Sequence, residues 1–161
     1  YGDCILEKRA AAAAGINEKI FINTKGQISE GTVCNVFFVR KNMIYTPQLS
    51  CGLLPGILRE YIMERFQVTE TIIYPDELMY YEECFVTNSL MGVMPVRQLG
   101  NICFPHRAKA DEVREVYEKE KMSLAQMMIE EKEPADKISK YTGYAIDKLK
   151  EIAAAMGQTL V

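Results

Sequence analysis

Apolar and polar positions alternate in short runs over the first two thirds of the chain. They then give way to a long, charged stretch with a helical period. Residues 3–14 (DCILEKRAAAAA) are strong helix formers and Gly15 is a natural stop, which predicts a helix. KIFIN (19–23) predicts a strand, Lys25-Gly26 a turn, 27–30 a short strand and 32–40 a long one. Lys41-Asn42 makes a tight turn into a strand over 43–46, so this stretch predicts a hairpin. After a loop carrying Pro47, Gly52 and Pro55, residues Ile57, Leu58, Tyr61, Ile62 and Phe66 fall on one face of a helix over 56–66. A strand at 68–74 and a short helix at 75–81, with Pro75 in its first turn, come next. Strands at 84–88 and 93–98 follow, and Gly100 turns into a last one at 102–104.

The pattern changes at about residue 108. From 109 to 132 it is helical and heavily charged, with Val113, Val116, Tyr117, Leu124, Met127 and Met128 on one stripe. Glu133-Pro134 breaks that helix. Ile138 and Tyr141 before Gly143, then Ile146, Leu149, Ile152 and Met156, predict a helix–turn–helix-like pair. The expected architecture is therefore α/β: a strongly curved mixed sheet with flanking helices over 1–107, and a helical tail over 108–161.

Bulk properties narrow the function classes. At 161 residues the chain is one domain, or one with a small appendage. A net charge of −3 gives no global basic field for nucleic acid or an anionic membrane. Five cysteines, odd in number and without a Cys-x-x-Cys, read as reduced thiols in the cytoplasm and not as a zinc site. His106 is the only histidine, which leaves little for histidine metal sites or Ser-His-Asp triads. No apolar run approaches the ~18–20 residues of a membrane span.

Three segments carry candidate chemistry. ISEGTVCNVFFV (28–39) sets a carboxylate, Glu30, between β-rich stretches. CGLLPGILRE (51–60) sets Pro55-Gly56 just ahead of a helix, where free N–H groups can hold a phosphate. EECFVTNSLMGVMPV (82–96) ends an apolar strand in the small polar run Thr87-Asn88-Ser89. Taken singly, these are a solvated glutamate, an ordinary helix cap and a polar strand end.

In this order and spacing, the three resemble the class IV aminotransferases over roughly residues 1–105. These are the fold type IV pyridoxal-phosphate enzymes: branched-chain and D-amino acid aminotransferases and aminodeoxychorismate lyase. The resemblance implies pyridoxal 5'-phosphate as cofactor and an amino acid-type substrate. The motif Glu30-Gly31-Thr32-Val33-Cys34-Asn35 matches the family's E-G-x-x-x-N, which makes Glu30 the partner of the pyridine nitrogen and Asn35 a loop anchor. It makes the N–H groups of Ile57 and Leu58, behind Gly56, the phosphate cradle, where many relatives add a Thr hydroxyl that Leu58 lacks. Leu54 is implied to lie against the ring, Ser89 on the phosphate, and the backbone of Leu90 beside the substrate carboxylate. Arg59 reads as structural. The spelling Asn88-Ser89-Leu90-Met91 followed by Met94-Pro95-Val96 is closer to aminodeoxychorismate lyase than to branched-chain aminotransferases.

The resemblance places the family's cofactor-bearing lysine just upstream of Tyr1, with Tyr1 itself near the cofactor. Lys8, Lys19 and Lys25 do not match that position, so no catalytic residue is expected within the chain. Residues 118–156 also resemble C-terminal segments of transposase-like recombination-promoting nucleases. Ten basic against eleven acidic residues over 107–161 favour a packing or oligomerisation pair over a DNA contact. Two functions follow as expectations. One is the cofactor-binding part of a lyase or aminotransferase. The other is a truncated, non-catalytic relic that oligomerises through its tail. A sheet edge left by the missing lysine strand predicts a homo-oligomer, a dimer in the simplest case.

Overall fold

The computed structural model describes the backbone from residue 2 to 161 and side chains from residue 4 onward. It divides into two compact units, one running to Val113 and one spanning Arg114–Val161.

The first unit opens with helix α1 (Gly2–Ala13), which stops before Gly15 at a positive φ of 70°. Strands β1 (Ile20–Ile22) and β2 (Ile28–Gly31) pair antiparallel across the Lys25-Gly26 turn. A five-stranded mixed sheet follows, in the order β5-β4-β3-β6-β7. Its members are β3 (Asn35–Arg40), β4 (Met43–Pro47), β5 (Val68–Thr71), β6 (Glu83–Asn88) and β7 (Gly92–Val96). Only β4 and β5 run parallel, joined by helix α2 (Ile57–Arg65). The β3–β4 hairpin turns through Lys41 and Asn42, both at positive φ. A small antiparallel pair, β8 (Gln98–Leu99) and β9 (Ile102–Cys103), closes the unit.

The central strand β3 is buried along its length as far as Val39, which explains its unbroken run of apolar residues. Alternation still sorts its two faces. Val36 and Phe38 join Ile28, Ile73, Cys84 and Val86 in one core. Phe37, on the other face, stacks on its cross-strand partner Phe85 with ring centroids 4.9 Å apart. Helix α2 packs against β6, with Leu58 and Ile62 buried. Arg59 is buried too; it donates to the Pro47 carbonyl at 3.2 Å and pairs with Glu70, tying α2 to the ends of β4 and β5.

The expected strand over 32–40 is shortened. Thr32, Val33 and Cys34 leave the sheet in a tight turn, closed by the Gly31 N–H donating to the Cys34 carbonyl at 2.7 Å. The expected strand over 68–74 ends at Thr71. Ile57, expected on the buried face of α2, is 78% exposed, whereas its neighbour Leu58 is buried.

Helix α3 (Ala108–Glu130) starts in the first unit, where the buried carboxylate of Glu83 accepts the N–H groups of Lys109 and Ala110 at 3.0 and 3.1 Å. In the second unit, α4 (Ala135–Thr142) and α5 (Ile146–Ala155) are joined through Gly143, at a left-handed φ of 73°. This unit has its own core of Ala125, Met128, Ile129, Ile138, Leu149 and Ile152. The inward stripe of α3 keeps Val113 and Met128 of the expected one, but Leu124 and Met127 are exposed and Ala125 and Ile129 are buried in their place.

Candidate functional site

The β2–β3 turn, the loop ahead of α2 and the end of β6 converge on one cleft of about 210 Å³. Glu30, Leu54, Gly56, Ile57, Leu58 and Ser89, all singled out in the sequence, line it. Three segments far apart in the chain are therefore neighbours, because β3 lies beside β6 and α2 packs on β6.

Two hydrogen bonds hold the geometry. Glu30 Oε2 accepts the Leu54 N–H at 3.0 Å, and Asn35 Nδ2 donates to the Leu54 carbonyl at 2.8 Å. The first and last residues of the E-G-x-x-x-N motif thus grip both polar groups of one residue in the loop. Burial pushes the Glu30 carboxyl above its ordinary pKa, against the opposing Leu54 N–H bond. That environment suits a carboxylate awaiting a cationic partner.

Gly56 is the N-cap of α2, extended at φ −71° and ψ 143°, with no side chain capping the helix. The N–H groups of the first turn lack intrahelical partners and carry partial positive charge. A Cβ on Gly56 would stand 2.3 Å from Asn35 Oδ1, so the close approach of this loop to β3 requires glycine. Leu58 lines the cleft and is itself buried.

On the opposite wall, sequence reasoning missed Thr87. Its side chain is 1% exposed, it lines the cleft, and its hydroxyl has no hydrogen-bond partner. A buried hydroxyl left unpaired is costly, and such orphans mark places where a ligand can bond. Only its position in the run Thr87-Asn88-Ser89 hinted at it. Asn88 is a second unexpected organiser. Its Nδ2 donates to the Val33 carbonyl at 3.0 Å, and its Oδ1 accepts the N–H groups of Leu90 and Met91 at 2.9 and 2.7 Å.

Leu90 is not brought into the cleft with the others. Its side chain is 97% exposed, it is not among the cleft-lining residues, and its N–H is spent on Asn88. Tyr1 lies outside the described residues. Neither Lys8 nor Lys19 is among the cleft-lining residues; their ammonium groups pair with Glu18 at 3.0 Å and with Glu7 at 2.7 Å. Among the described residues no His, Cys, Asp and Glu group could hold a metal ion, and no helix is long and apolar enough to cross a membrane.

Residues 1–99 match the family model described as amino-transferase class IV. A Thermotoga maritima protein provisionally assigned as a branched-chain-amino-acid aminotransferase is 36% identical over 90 residues, covering 53% of this chain and 33% of that protein. Among solved structures, a Legionella pneumophila protein provisionally assigned as 4-amino-4-deoxychorismate lyase superposes with a TM-score of 0.68 at 29% identity. That match covers 73% of this chain and 46% of the other. The branched-chain aminotransferase of Thermoproteus uzoniensis, solved with norvaline, also gives 0.68, at 26% identity over 72% of this chain and 41% of the other. The chain spans a third to a half of the length of these relatives.

Proposed function

The chain belongs to the class IV amino-transferases, and from that premise we propose that its cleft is the pyridoxal-phosphate site of an enzyme acting on amino acid-type substrates. The buried, orphaned hydroxyl of Thr87 and an uncapped helix N-terminus, both belonging to residues that line one cleft, carry this reading. Neither feature serves the fold, and together they suit a phosphate.

The residues fit the cofactor in a specific division of labour. The N–H groups of Ile57 and Leu58 hold the phosphate, and Thr87 Oγ1, with Ser89, supplies the hydroxyl contact that Leu58 lacks. Leu54 would pack against the ring. Glu30 would hold a proton at the pyridine nitrogen, where a cation beside it would offset the burial that raises its pKa. When bound, the cofactor supplies the electron-withdrawing ring on which amino-group chemistry depends. The substrate carboxylate would meet the Ser89–Leu90 backbone only after the Leu90 N–H leaves Asn88.

Lyase and aminotransferase chemistry share this shell. The Asn88-Ser89-Leu90-Met91 turn and the Legionella neighbour support the lyase; the Thermotoga and Thermoproteus relatives support transamination. The segment 1–107 is read as the cofactor-binding portion and 108–161 as a helical tail that packs or oligomerises. A cytoplasmic homo-oligomer, a dimer in the simplest case, completes the reading. A monomer by sedimentation at micromolar concentration would contradict that last part.

The test of the cofactor reading uses pyridoxamine 5'-phosphate, whose amine cannot condense with surface lysines. Its fluorescence should change saturably with one site per chain, and unphosphorylated pyridoxamine should bind at least tenfold more weakly. Equal or unsaturable responses to both compounds would contradict the proposal.

A further inference from the structure

Glu18 carries a half-hidden carboxylate that the account so far leaves without a task. Its side chain is 15% exposed. Oε1 accepts the Lys19 N–H at 2.9 Å, the Thr32 N–H at 3.1 Å and the Thr32 hydroxyl. Oε2 accepts the Lys8 ammonium at 3.0 Å and the Cys34 thiol at 3.6 Å. A carboxylate offers about four lone-pair sites, so this one is saturated. Burial works to raise its pKa, but the bonds from Thr32, Lys8 and Lys19 outweigh burial and hold it below the usual range, so it is charged at neutral pH.

Most of these bonds converge on the turn 31–34, immediately after Glu30. The turn is drawn down tightly. A Cβ on Gly31 would stand 2.3 Å from Cys34 Sγ and 3.3 Å from the Cγ of Glu18. The other side of the turn is held by Asn88 through the Val33 carbonyl. Glu18 is the charged group that fixes where β2 ends, and Glu30 is the next side chain along that strand. The Lys8 bond brings α1 into the same set, so the seating of α1 also bears on the turn.

We propose that Glu18 is a positioning residue of the site: its carboxylate pins the Thr32–Cys34 turn, and so sets the reach of Glu30 toward the Leu54 N–H and toward a cofactor nitrogen. The cofactor half rests on the proposed function; the link from Glu18 to the Glu30–Leu54 bond stands without it.

Two variants of the full chain test this, with amide hydrogen exchange by NMR at Thr32, Leu54 and, as a core reference, Val86. Glu18→Gln keeps one oxygen for Thr32, but its amide nitrogen cannot accept from Lys8 or Cys34. Glu18→Ala keeps nothing. In Glu18→Ala, exchange at Thr32 and Leu54 should quicken roughly tenfold, the scale of one charge-assisted hydrogen bond, with Val86 unchanged. Pyridoxamine 5'-phosphate should bind about tenfold more weakly. Glu18→Gln should restore Thr32 and most of the affinity. Loss of Thr32 protection with Leu54 and the affinity unmoved would overturn the proposal. So would equal loss at all three amides, which would make Glu18 a general stabiliser. If the unaltered chain binds no pyridoxamine 5'-phosphate, the functional reading fails, and the Leu54 amide alone decides the positioning role.

Discussion

Asn35 donates its side-chain amide to the carbonyl of Leu54 at 2.8 Å, while Glu30, five residues earlier, accepts the N–H of the same Leu54. One residue of the loop ahead of α2 is thereby clamped from both ends of a single motif. Gly56 and the first turn of α2 line the same cleft as Thr87. The clamp's consequences can be measured one residue at a time.

Glu30→Gln separates stability from binding. Because burial raises the Glu30 pKa, the folded state holds its proton more tightly than the unfolded chain does. Its contribution is favourable below the unfolded pKa and is lost as pH rises through the folded one, so at neutral pH the carboxylate is a burden. Glu30→Gln should leave the melting temperature of the ligand-free protein equal or higher at pH 7. It should also weaken pyridoxamine 5'-phosphate about tenfold or more, the loss of one charged hydrogen bond. In the unaltered protein, affinity should fall as pH drops through the Glu30 pKa. Glu30→Gln should flatten that limb in a calorimetric series.

Thr87→Val tests the orphaned hydroxyl. Removing an unpaired buried oxygen costs the free protein nothing and should stabilise it by ~0–1 kcal/mol in urea titrations. The same change should weaken phosphorylated ligands about fivefold to tenfold and leave unphosphorylated pyridoxamine unaffected. A destabilisation of about 2 kcal/mol would mean that the hydroxyl has a partner in the folded state.

Gly56→Ala probes the close approach. The backbone there is extended with negative φ, so alanine suffers no conformational strain, and the whole cost comes from its Cβ meeting Asn35 Oδ1. The expected destabilisation is ~1–3 kcal/mol, with loss of ligand binding. Adding Asn35→Ala removes the obstacle. The double variant should therefore be less destabilised than the sum of the singles, by at least ~0.5 kcal/mol in a mutant cycle.

The thiols differ sharply. All five cysteines are free; Cys103 is exposed, whereas Cys34 and Cys84 are buried. Burial, with the nearby Glu18 charge and hydrogen bond, pushes the Cys34 thiol up to about 12. Its thiolate fraction at pH 8 is then roughly one in ten thousand. Iodoacetamide followed by mass mapping should label Cys103 first and reach Cys34 and Cys84 only in denaturant.

The sequence made some of this site legible and hid the rest for physical reasons. Glu30, Asn35 and Gly56 stand in compact local motifs, so their meeting at one place in the fold was legible in the order and spacing of those motifs. Thr32, Val33 and Cys34 all suit a strand by local preference, and the force that bends them out comes from Glu18, fourteen residues away in the chain. Nothing in that stretch alone announces it. Thr87 looks like any residue of a buried strand, and only the packed structure shows that its hydroxyl has no partner. The expected α3 stripe holds at Val113 and Met128 but not at Leu124 and Met127. The charged helix offers apolar residues on adjacent rows, and the packing of α4 and α5 selects Ala125 and Ile129 over Leu124 and Met127.

The most direct test of the central claim is to record amide shifts of the labelled chain as pyridoxamine 5'-phosphate is added. The account predicts that the largest, saturating shifts fall at Ile57, Leu58, Thr87 and Ser89, with smaller ones at Leu54 and none in α4 or α5. Saturating shifts elsewhere, or no shifts at millimolar ligand, would contradict the placement of a phosphate between α2 and β6.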